Sequence, residues 1–584
     1  MNVLPRKGKS AVWRRLAFAL FNLGLLPLLT ARPAISAEHI SLSYGVLRQL
    51  ISINTLETYT STGKLDYFLA AHTPFTSPKQ LTQLRQILLT RLPIEVHQVA
   101  PLLHTPMGEQ LVSSLTALIQ NDISQPSSSA IRDALIQAAV HPDGLTLLNV
   151  LRQFPDDPIN IDLARSLRLI DVWRTFAEQT NQAIAQINQQ ADLEASTTAF
   201  SADAPALDLR QQGEFTWEQY TLTLTDRSRD RTFPVDIYLP HIQHPRPVIV
   251  ISHGLSYARY NFAYLAQHLA SYGFVVAVPE HPGSSLEQLR SLLEGKVNQI
   301  VQLQEFIDRP RDISYLLDEL NTLSKSNPAF QKRLNLQQVG VIGQSFGGYT
   351  ALVLAGATLQ FDQLETSCHT FNPLLNPSLL LQCRALALPH VNYNLDDPRV
   401  KAAILINPVG SQLIEQASLN QIKIPILMIA GSSDILAPVL LEQIQPFSWL
   451  RAQDKYLALI AGGTHFSSVV HLRSNVGFGS SSDAVTIQHY TSALSTAFAQ
   501  TYIANQSTYR PYVSAAYARD ISQNRLRISL VRSLPPLRTT LKSANGSDFS
   551  RYFVALGVSS LIMKSIYFVT GHVYLKRNFE KRNS

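Results

Sequence analysis

The chain has 584 residues, of which 45% are hydrophobic and 16% are charged, so it is long enough for several domains and has an ordinary globular composition. Its formal net charge of +7 comes mainly from the two ends, because six basic residues precede the first acidic one and four lie within residues 576–584. The chain between these ends is close to neutral, which excludes a phosphate-tracking basic surface, and we predict no nucleic-acid partner.

The first 37 residues have the pattern of an export signal. A basic segment ends at Arg15, an apolar segment covers residues 16–29, and Ala37 offers a small residue for cleavage. An uncleaved anchor helix is the alternative, but a polar residue and a proline interrupt the apolar segment, which is short for a membrane span. We therefore predict that residues 1–37 are a signal peptide and that the mature protein is periplasmic or extracellular.

Residues 38–180 show helical patterning. The pair Ser77-Pro78 is a helix start signal, and leucines then recur on one face of the following segment. Thr105-Pro106 is a second start signal. This part contains no group of acid–base or metal-ligating residues, so we predict a small all-α domain used for packing, covering or docking. Residues 181–212 are rich in Gln, Ala, Ser and Asp and are predicted to be the tail of a helix that runs into a linker.

The apolar period changes at residue 213. Two alternating segments, 215–225 and 232–239, predict an antiparallel hairpin. Strand-like apolar runs then alternate with helical segments up to residue 504, which predicts an α/β domain with a mostly parallel sheet and helices on both faces. The runs are 248–251, 274–278, 339–342, 402–406, 426–429 and 456–460. In such sheets reactive groups gather at the carboxyl ends of the strands.

A predicted nucleophile follows the third of these runs. Residues 343–347 read GQSFG and lie between a buried-strand pattern and a helix-compatible segment. This G-x-S-x-G pattern puts a serine on a sharp strand-to-helix turn, where only glycine fits two positions before and after it. The helix that follows directs its N–H groups at an anion formed beside the serine. We predict that Ser345 is a nucleophile; a plain Gly/Ser loop is the alternative.

Two further strand ends supply the predicted acid and base. Asp434 follows the run 426–429 and can orient a histidine, although a turn aspartate that satisfies its own backbone is the alternative. His465 lies in a glycine-rich loop after the run 456–460, where a base can reach Ser345. The chain order Ser, Asp, His supports a joint assignment as a catalytic triad.

The loop after the run 248–251 predicts an oxyanion hole. Gly254 lets the backbone turn so that the N–H of Leu255 faces the nucleophile, and the N–H of Phe346 is the second predicted donor. His253 is an alternative general base, but the base is expected after the last strand, which favours a structural role for it. The histidine pair His241 and His244 has no acidic or cysteine partner nearby, and phosphate-binding motifs are absent from the sequence, so we predict no metal and no cofactor.

An insertion at residues 360–397 carries the only two cysteines, Cys368 and Cys383. In an exported protein they either form a disulfide that closes a loop of about 15 residues, which would contribute about 3 kcal/mol, or they are two unrelated buried thiols. The insertion is rich in leucine and lies where a cap over the pocket is expected. We predict that it and the N-terminal domain shape an apolar acyl site.

The C-terminal extension, residues 505–584, contains an apolar segment at 552–575 that is followed by a basic tail. The segment is long enough to cross a bilayer, but Lys564 near its centre is costly there. Small and polar residues lie near one face, as in a helix docked on protein. Docking or peripheral membrane contact and a true span both remain alternatives.

The region 215–504 resembles an α/β hydrolase of the platelet-activating-factor acetylhydrolase and dienelactone-hydrolase-like group. The segments that carry the resemblance are 252–285, 308–320 and 343–349. The resemblance implies hydrolysis of a short or modified acyl ester, such as an acyl-lipid ester, with Ser345 acylated and no cofactor. Residues 38–172 resemble a helical domain of unknown function that precedes such hydrolases in some bacterial proteins.

The chain departs from the animal acetylhydrolases at Asn407. Those enzymes place their acid after the strand that follows the nucleophile helix, where this chain has Ile406-Asn407-Pro408. Because an asparagine cannot act as the acid, Asp434 is expected to take that role. A peptidase or amidase using the same triad, and a non-catalytic envelope protein that uses the fold for binding, are the alternative functions. The oligomeric state is not determined by these patterns.

Overall fold

The computed structural model describes residues 36–44, 47–65, 67, 78–92, 94, 96–116, 128–197, 207–370, 373–470, 481–523 and 525–534. The predicted signal peptide, apart from its last two residues, and the apolar segment 552–575 lie outside these ranges and stay predictions. Within the described ranges, no helix has the length and apolarity needed to cross a membrane.

The described chain contains twelve strands and seventeen α-helices, which we number in chain order. The strands are β1 His39–Tyr44, β2 Leu47–Ser52, β3 Ile159–Asp162, β4 Trp217–Asp226, β5 Arg231–Pro240, β6 Arg246–Ser252, β7 Val275–Pro279, β8 Leu334–Gln344, β9 Val400–Ile406, β10 Ile426–Gly431, β11 Lys455–Ile460 and β12 Ile528–Val531. The helices are α1 Ile53–Thr62, α2 Pro78–Leu89, α3 Val96–Leu103, α4 Pro106–Thr116, α5 Ser128–Val140, α6 Leu147–Arg152, α7 Leu163–Thr197, α8 Ala263–Ser271, α9 Leu286–Leu293, α10 Glu305–Ser326, α11 Phe346–Leu354, α12 Phe361–Thr370, α13 Leu379–Gln382, α14 Gln416–Leu419, α15 Gln445–Trp449, α16 Ser481–Tyr502 and α17 Ala515–Ile521.

The N-terminal part is not all-α, so that prediction is wrong. Strands β1, β2 and β3 form a small sheet in the order β2-β1-β3, in which Ile40 of β1 lies opposite Ile159 of β3. The strands are hard to predict from the sequence for two reasons. An alternating pattern over only six residues is weak beside the longer helical patterns, and the pairing of β1 with β3 joins residues more than a hundred positions apart. The predicted helix start at Thr105 is present, because its hydroxyl accepts a hydrogen bond from the N–H of Gly108 at 3.0 Å.

The predicted helix tail at the start of 181–212 is present, but it is longer than expected and takes up the first half of the predicted linker. Residues 181–197 complete α7, in which Ala183, Ile187, Ala191 and Ala195 are buried. These residues recur every four positions and form a narrow stripe that packs against β12 and α17. Alanine contributes little apolar area per residue, so the amphipathic period of this segment is weak in the sequence.

The main sheet has nine strands in the order β12-β11-β10-β9-β8-β6-β7-β5-β4. The predicted hairpin is β4–β5, and all six predicted apolar runs are strands of this sheet. The six adjacent strands β11, β10, β9, β8, β6 and β7 pair in parallel. Helices cover both faces of the sheet, and a large apolar core lies on each face. The predicted mostly parallel α/β fold is confirmed. Its boundary at residue 504 is wrong, because β12 pairs antiparallel with β11 and extends the sheet to Val531.

The insertion 360–397 is closed by the Cys368–Cys383 disulfide, with 5.9 Å between the Cα atoms. The buried carboxylate of Glu442 holds the insertion in place, since it accepts hydrogen bonds from Asn376 and Gln382 of the insertion and from Ser411 beyond β9. The N-terminal part meets the same region: α3 packs against α9, and α4 packs against α13. The insertion and the N-terminal part thus both lie on the side of the sheet where the parallel strands end, because they contact segments that follow β7, β9 and β10.

Candidate active site

Ser345 lies on a strained turn between β8 and α11. Its φ of 55° and ψ of −117° are far from the values that a residue with a side chain prefers. The flanking glycines make the turn sterically feasible: a Cβ on Gly343 would be 1.9 Å from the carbonyl oxygen of Gly347, and a Cβ on Gly347 would be 2.0 Å from that of Ser252. The turn therefore needs glycine at both positions.

The structure brings the three predicted side chains together. The Nε2 atom of His465 lies 2.9 Å from the hydroxyl oxygen of Ser345, and its Nδ1 atom lies 2.7 Å from Oδ2 of Asp434. The other carboxylate oxygen of Asp434 accepts from the N–H groups of Leu436 and Ala437, so Asp434 also stabilises its own turn. All three residues are less than a tenth exposed. This arrangement can pass a proton from the serine to the imidazole while the carboxylate holds the ring.

The two predicted oxyanion donors lie on the segments that flank this serine. Phe346 is the first residue of α11, where an N–H group has no partner within the helix. Leu255 lies in the loop that follows β6. Among the described residues, neither of these two N–H groups donates to a protein acceptor, so both are available to an anion.

Asn407, which follows β9, has a structural role that sequence reasoning missed. Its side-chain oxygen accepts from the N–H of Gly431 at 2.9 Å, and its amide nitrogen lies 3.1 Å from the carbonyl oxygen of Thr464 and 3.4 Å from that of His465. Asn407 thereby joins the loop that carries the predicted acid to the loop that carries the predicted base. In the sequence, the only indication of this role is that Asn407 directly follows a strand of the parallel sheet.

Replacing Asn407 by aspartate is expected to destabilise the protein by about 2–4 kcal/mol and to reduce activity. The carboxylate would keep the bond from Gly431 but would face the carbonyl oxygens of Thr464 and His465 without a proton to donate. Urea unfolding and kcat for an ester substrate would test this. A variant that matched the wild type in both measurements would contradict this role of Asn407 as the residue that joins the two loops, which we call the Asn407 clamp.

His253 is not placed to act as the base. Its Nδ1 atom bonds the carbonyl oxygen of Gly254 at 2.7 Å, and its Nε2 atom accepts from the N–H of His281 at 3.0 Å. Both nitrogens are thus used by the backbone. Burial, together with the positive charge of Arg309, holds the pKa of His253 and of His281 well below the ordinary value. His253 is a neutral structural residue, as the sequence favoured.

Because several histidines are buried, we expect the free energy of unfolding to fall in mild acid. Burial lowers the pKa of His268 to about 4, and the pKa values of His253 and His281 are also lowered. The unfolded chain takes up these protons below about pH 6.5, whereas the folded chain does not. Their stabilisation is therefore present above that pH and is lost as the pH falls, by about 1.4 kcal/mol per pH unit for each histidine.

Urea unfolding between about pH 5 and 7 would measure this slope. His268→Phe should reduce the slope by about one proton's worth. It should also lower stability at every pH, because the ring loses its hydrogen bond to the Leu209 backbone. If the slope were unchanged in this variant, protonation of His268 would not contribute to the loss of stability in acid.

The sheet order, the strand–turn–helix at Ser345 and the positions of the other two side chains define the α/β-hydrolase fold. Comparison with known families agrees: residues 206–370 match the chlorophyllase family model, and residues 36–162 match a model described as an alpha/beta hydrolase of unknown function (DUF1400). The first match contains Ser345 and both predicted oxyanion segments but ends before the loops of Asp434 and His465. The second covers the N-terminal part, including all three strands of its small sheet.

These matches support the α/β-hydrolase superfamily and do not reach the narrower resemblance to platelet-activating-factor acetylhydrolases, which stays a prediction. In the described residues, no group of three or more His, Cys, Asp or Glu side chains is arranged to hold a metal ion.

Proposed function

We propose that the protein is a serine hydrolase that cleaves carboxylic esters through an acyl-enzyme on Ser345. The observation that carries this proposal is the continuous pair of hydrogen bonds from Asp434 through His465 to Ser345. The chlorophyllase-family match supports a carboxylic ester hydrolase. A Gly/Ser loop without chemistry would have no reason to retain a strained serine beside an oriented imidazole.

The proposed reaction has two halves. His465 removes the proton of Ser345 as its oxygen attacks the ester carbonyl, and Asp434 stabilises the imidazolium that forms. The N–H groups of Leu255 and Phe346 bind the oxyanion. The proton then passes to the departing alkoxide, which leaves an acyl-serine and a free alcohol. A water molecule, deprotonated by the same histidine, attacks the acyl-serine. The bond to the serine oxygen breaks, the histidine returns the proton to that oxygen, and the carboxylic acid is released.

We propose an acyl lipid as the ester, with platelet-activating-factor-like lipids as the narrower candidate. The support is the disulfide-closed insertion, which is joined through Glu442 to residues that follow β9 and β10, and the N-terminal part, which packs against α9 and against α13 of the insertion. Met107 of α4 even packs against the apolar core of the main sheet. An exported location, and membrane contact through residues 552–575, are further parts of this proposal that depend on segments outside the described residues.

The test combines covalent labelling with a substrate panel. A fluorophosphonate probe should modify the wild-type protein on the peptide that contains Ser345, as mapped by mass spectrometry. Turnover of p-nitrophenyl esters of graded acyl length should exceed that of the matching p-nitroanilides. Faster anilide cleavage would favour a peptidase or amidase, and the absence of both labelling and turnover would favour a non-catalytic binding protein.

A further inference from the structure

Arg309 is a fully buried arginine beneath the predicted oxyanion hole. It lies on α10 within the segment DRPRD, residues 308–312, and has no exposed surface. Burying a guanidinium is costly unless its donors and its charge are satisfied. Burial lowers the pKa of Arg309 to about 10, so the side chain remains charged at neutral pH. Its contacts indicate which part of the molecule it organises.

Arg309 contacts the first oxyanion segment on both sides of Leu255. One terminal nitrogen donates to the carbonyl oxygen of His253 at 2.8 Å. The Nε atom donates to the hydroxyl of Ser284 at 2.9 Å, and the carbonyl oxygen of Ser284 in turn accepts from the N–H of Ser256 at 2.8 Å. The residues immediately around Leu255 are thus tied to one guanidinium, directly at position 253 and through Ser284 at position 256.

The same guanidinium contacts the second oxyanion segment. Its central carbon lies 4.4 Å from the centre of the Phe346 ring, which is a cation–π contact in a fully buried place. The backbone N–H of Phe346 is the other predicted donor. One side chain therefore contacts both segments that supply the hole, although they follow different strands of the sheet.

The charge of Arg309 is balanced by a buried acid. Glu305, one turn earlier on α10, has a carboxylate oxygen 3.6 Å from the Nε atom of Arg309. The other oxygen of Glu305 pairs with Arg231 at 2.7 Å, and Arg231 also pairs with Asp312. This network holds the guanidinium in one orientation. The planar guanidinium has several N–H donors in fixed directions, so it satisfies these contacts better than a lysine ammonium would.

We propose that Arg309 is a positioning residue of the oxyanion hole, which fixes the Leu255 and Phe346 N–H groups relative to Ser345 and places a permanent positive charge behind them. This inference rests on the proposed function. Donors that are held rigidly stabilise the developing oxyanion without reorganising, so their placement affects the transition state more than the bound substrate.

The test compares Arg309→Met with the matched control Arg333→Met. Arg333 is also buried and donates to backbone carbonyl oxygens, those of Pro240 at 2.6 Å and Ala329 at 3.0 Å, but it precedes β8 at the opposite edge of the sheet. For p-nitrophenyl butyrate, kcat per fluorophosphonate-titrated site should fall by about 10- to 100-fold in Arg309→Met. KM should change by less than about threefold. The control should lower thermal stability without lowering kcat per titrated site.

Two further readouts separate positioning from general damage. A trifluoromethyl ketone that forms a tetrahedral adduct should lose affinity by the same factor as kcat/KM in Arg309→Met, and the pH–rate profile should keep its midpoint because the acid and base are untouched. If Arg309→Met does not fold, Arg309→Lys and the milder Ser284→Ala take its place, each with a smaller loss of kcat.

Equal kcat per titrated site in an Arg309 variant and in the Arg333 control would overturn the inference, as would a loss of ketone affinity no larger than in the control. A wild-type protein without labelling or turnover would instead refute the proposed function itself.

Discussion

Replacing Ser345 by alanine is expected to lower kcat for p-nitrophenyl butyrate by about 10⁵- to 10⁶-fold. The proposed acyl-enzyme path needs the serine oxygen, and no other described group bonds His465 Nε2. Only binding and the oxyanion donors would then remain to accelerate hydrolysis by water. KM should change by less than about threefold, because the hydroxyl adds little to ground-state binding.

The Ser345→Ala protein should stay folded, since alanine fits the volume of serine, and its thermal unfolding should resemble that of the wild type. Ser529→Ala is a matched control. Ser529 is also buried, but it lies on the edge strand β12, and its hydroxyl donates to the side-chain oxygen of Asn188 on α7 at 2.7 Å. This control should keep full turnover and fluorophosphonate labelling. Labelling that persisted in Ser345→Ala would refute the assigned nucleophile.

Replacing Asp434 by asparagine is expected to lower kcat by about 10³- to 10⁴-fold. The carboxylate accepts the proton on Nδ1 of His465, which leaves Nε2 free to accept the proton of Ser345. An amide that turns its NH₂ group toward the ring favours the opposite tautomer, in which Nε2 carries the proton and cannot act as a base. The amide oxygen can still accept from Leu436 and Ala437, so the turn should persist.

The control for this variant is Asp397→Asn. Asp397 is also a buried carboxylate, and it bonds Ser314 at 2.8 Å and pairs with Arg399 at 2.6 Å, with no contact to the triad. Its loss should lower the free energy of unfolding while kcat stays near the wild-type value. If Asp434→Asn kept kcat within about tenfold of the wild type, the acid would have to be another group.

The site could be predicted because its chemistry is concentrated at strand ends. Ser345 was recognisable from two glycines that the turn requires, and Asp434 and His465 each follow a short buried apolar run. Parallel strands of one sheet end at the same edge, so residues far apart in the chain converge there. The disulfide could be proposed but not decided, since two cysteines can be bridged only if the fold brings their Cα atoms close.

The sequence alone thus determined the elements whose signal is local: the parallel strands, the helices between them, the turn at Ser345 and the order of the three reactive side chains. Tertiary structure decided what depends on partners distant in the chain. The pairing of β1 with β3, the edge strand β12, the alanine stripe of α7, the Asn407 clamp and the contacts of Arg309 all belong to this second class. Hydrophobic periodicity reports which face of a segment is buried, whereas strand partners and buried polar contacts depend on which segments meet in three dimensions.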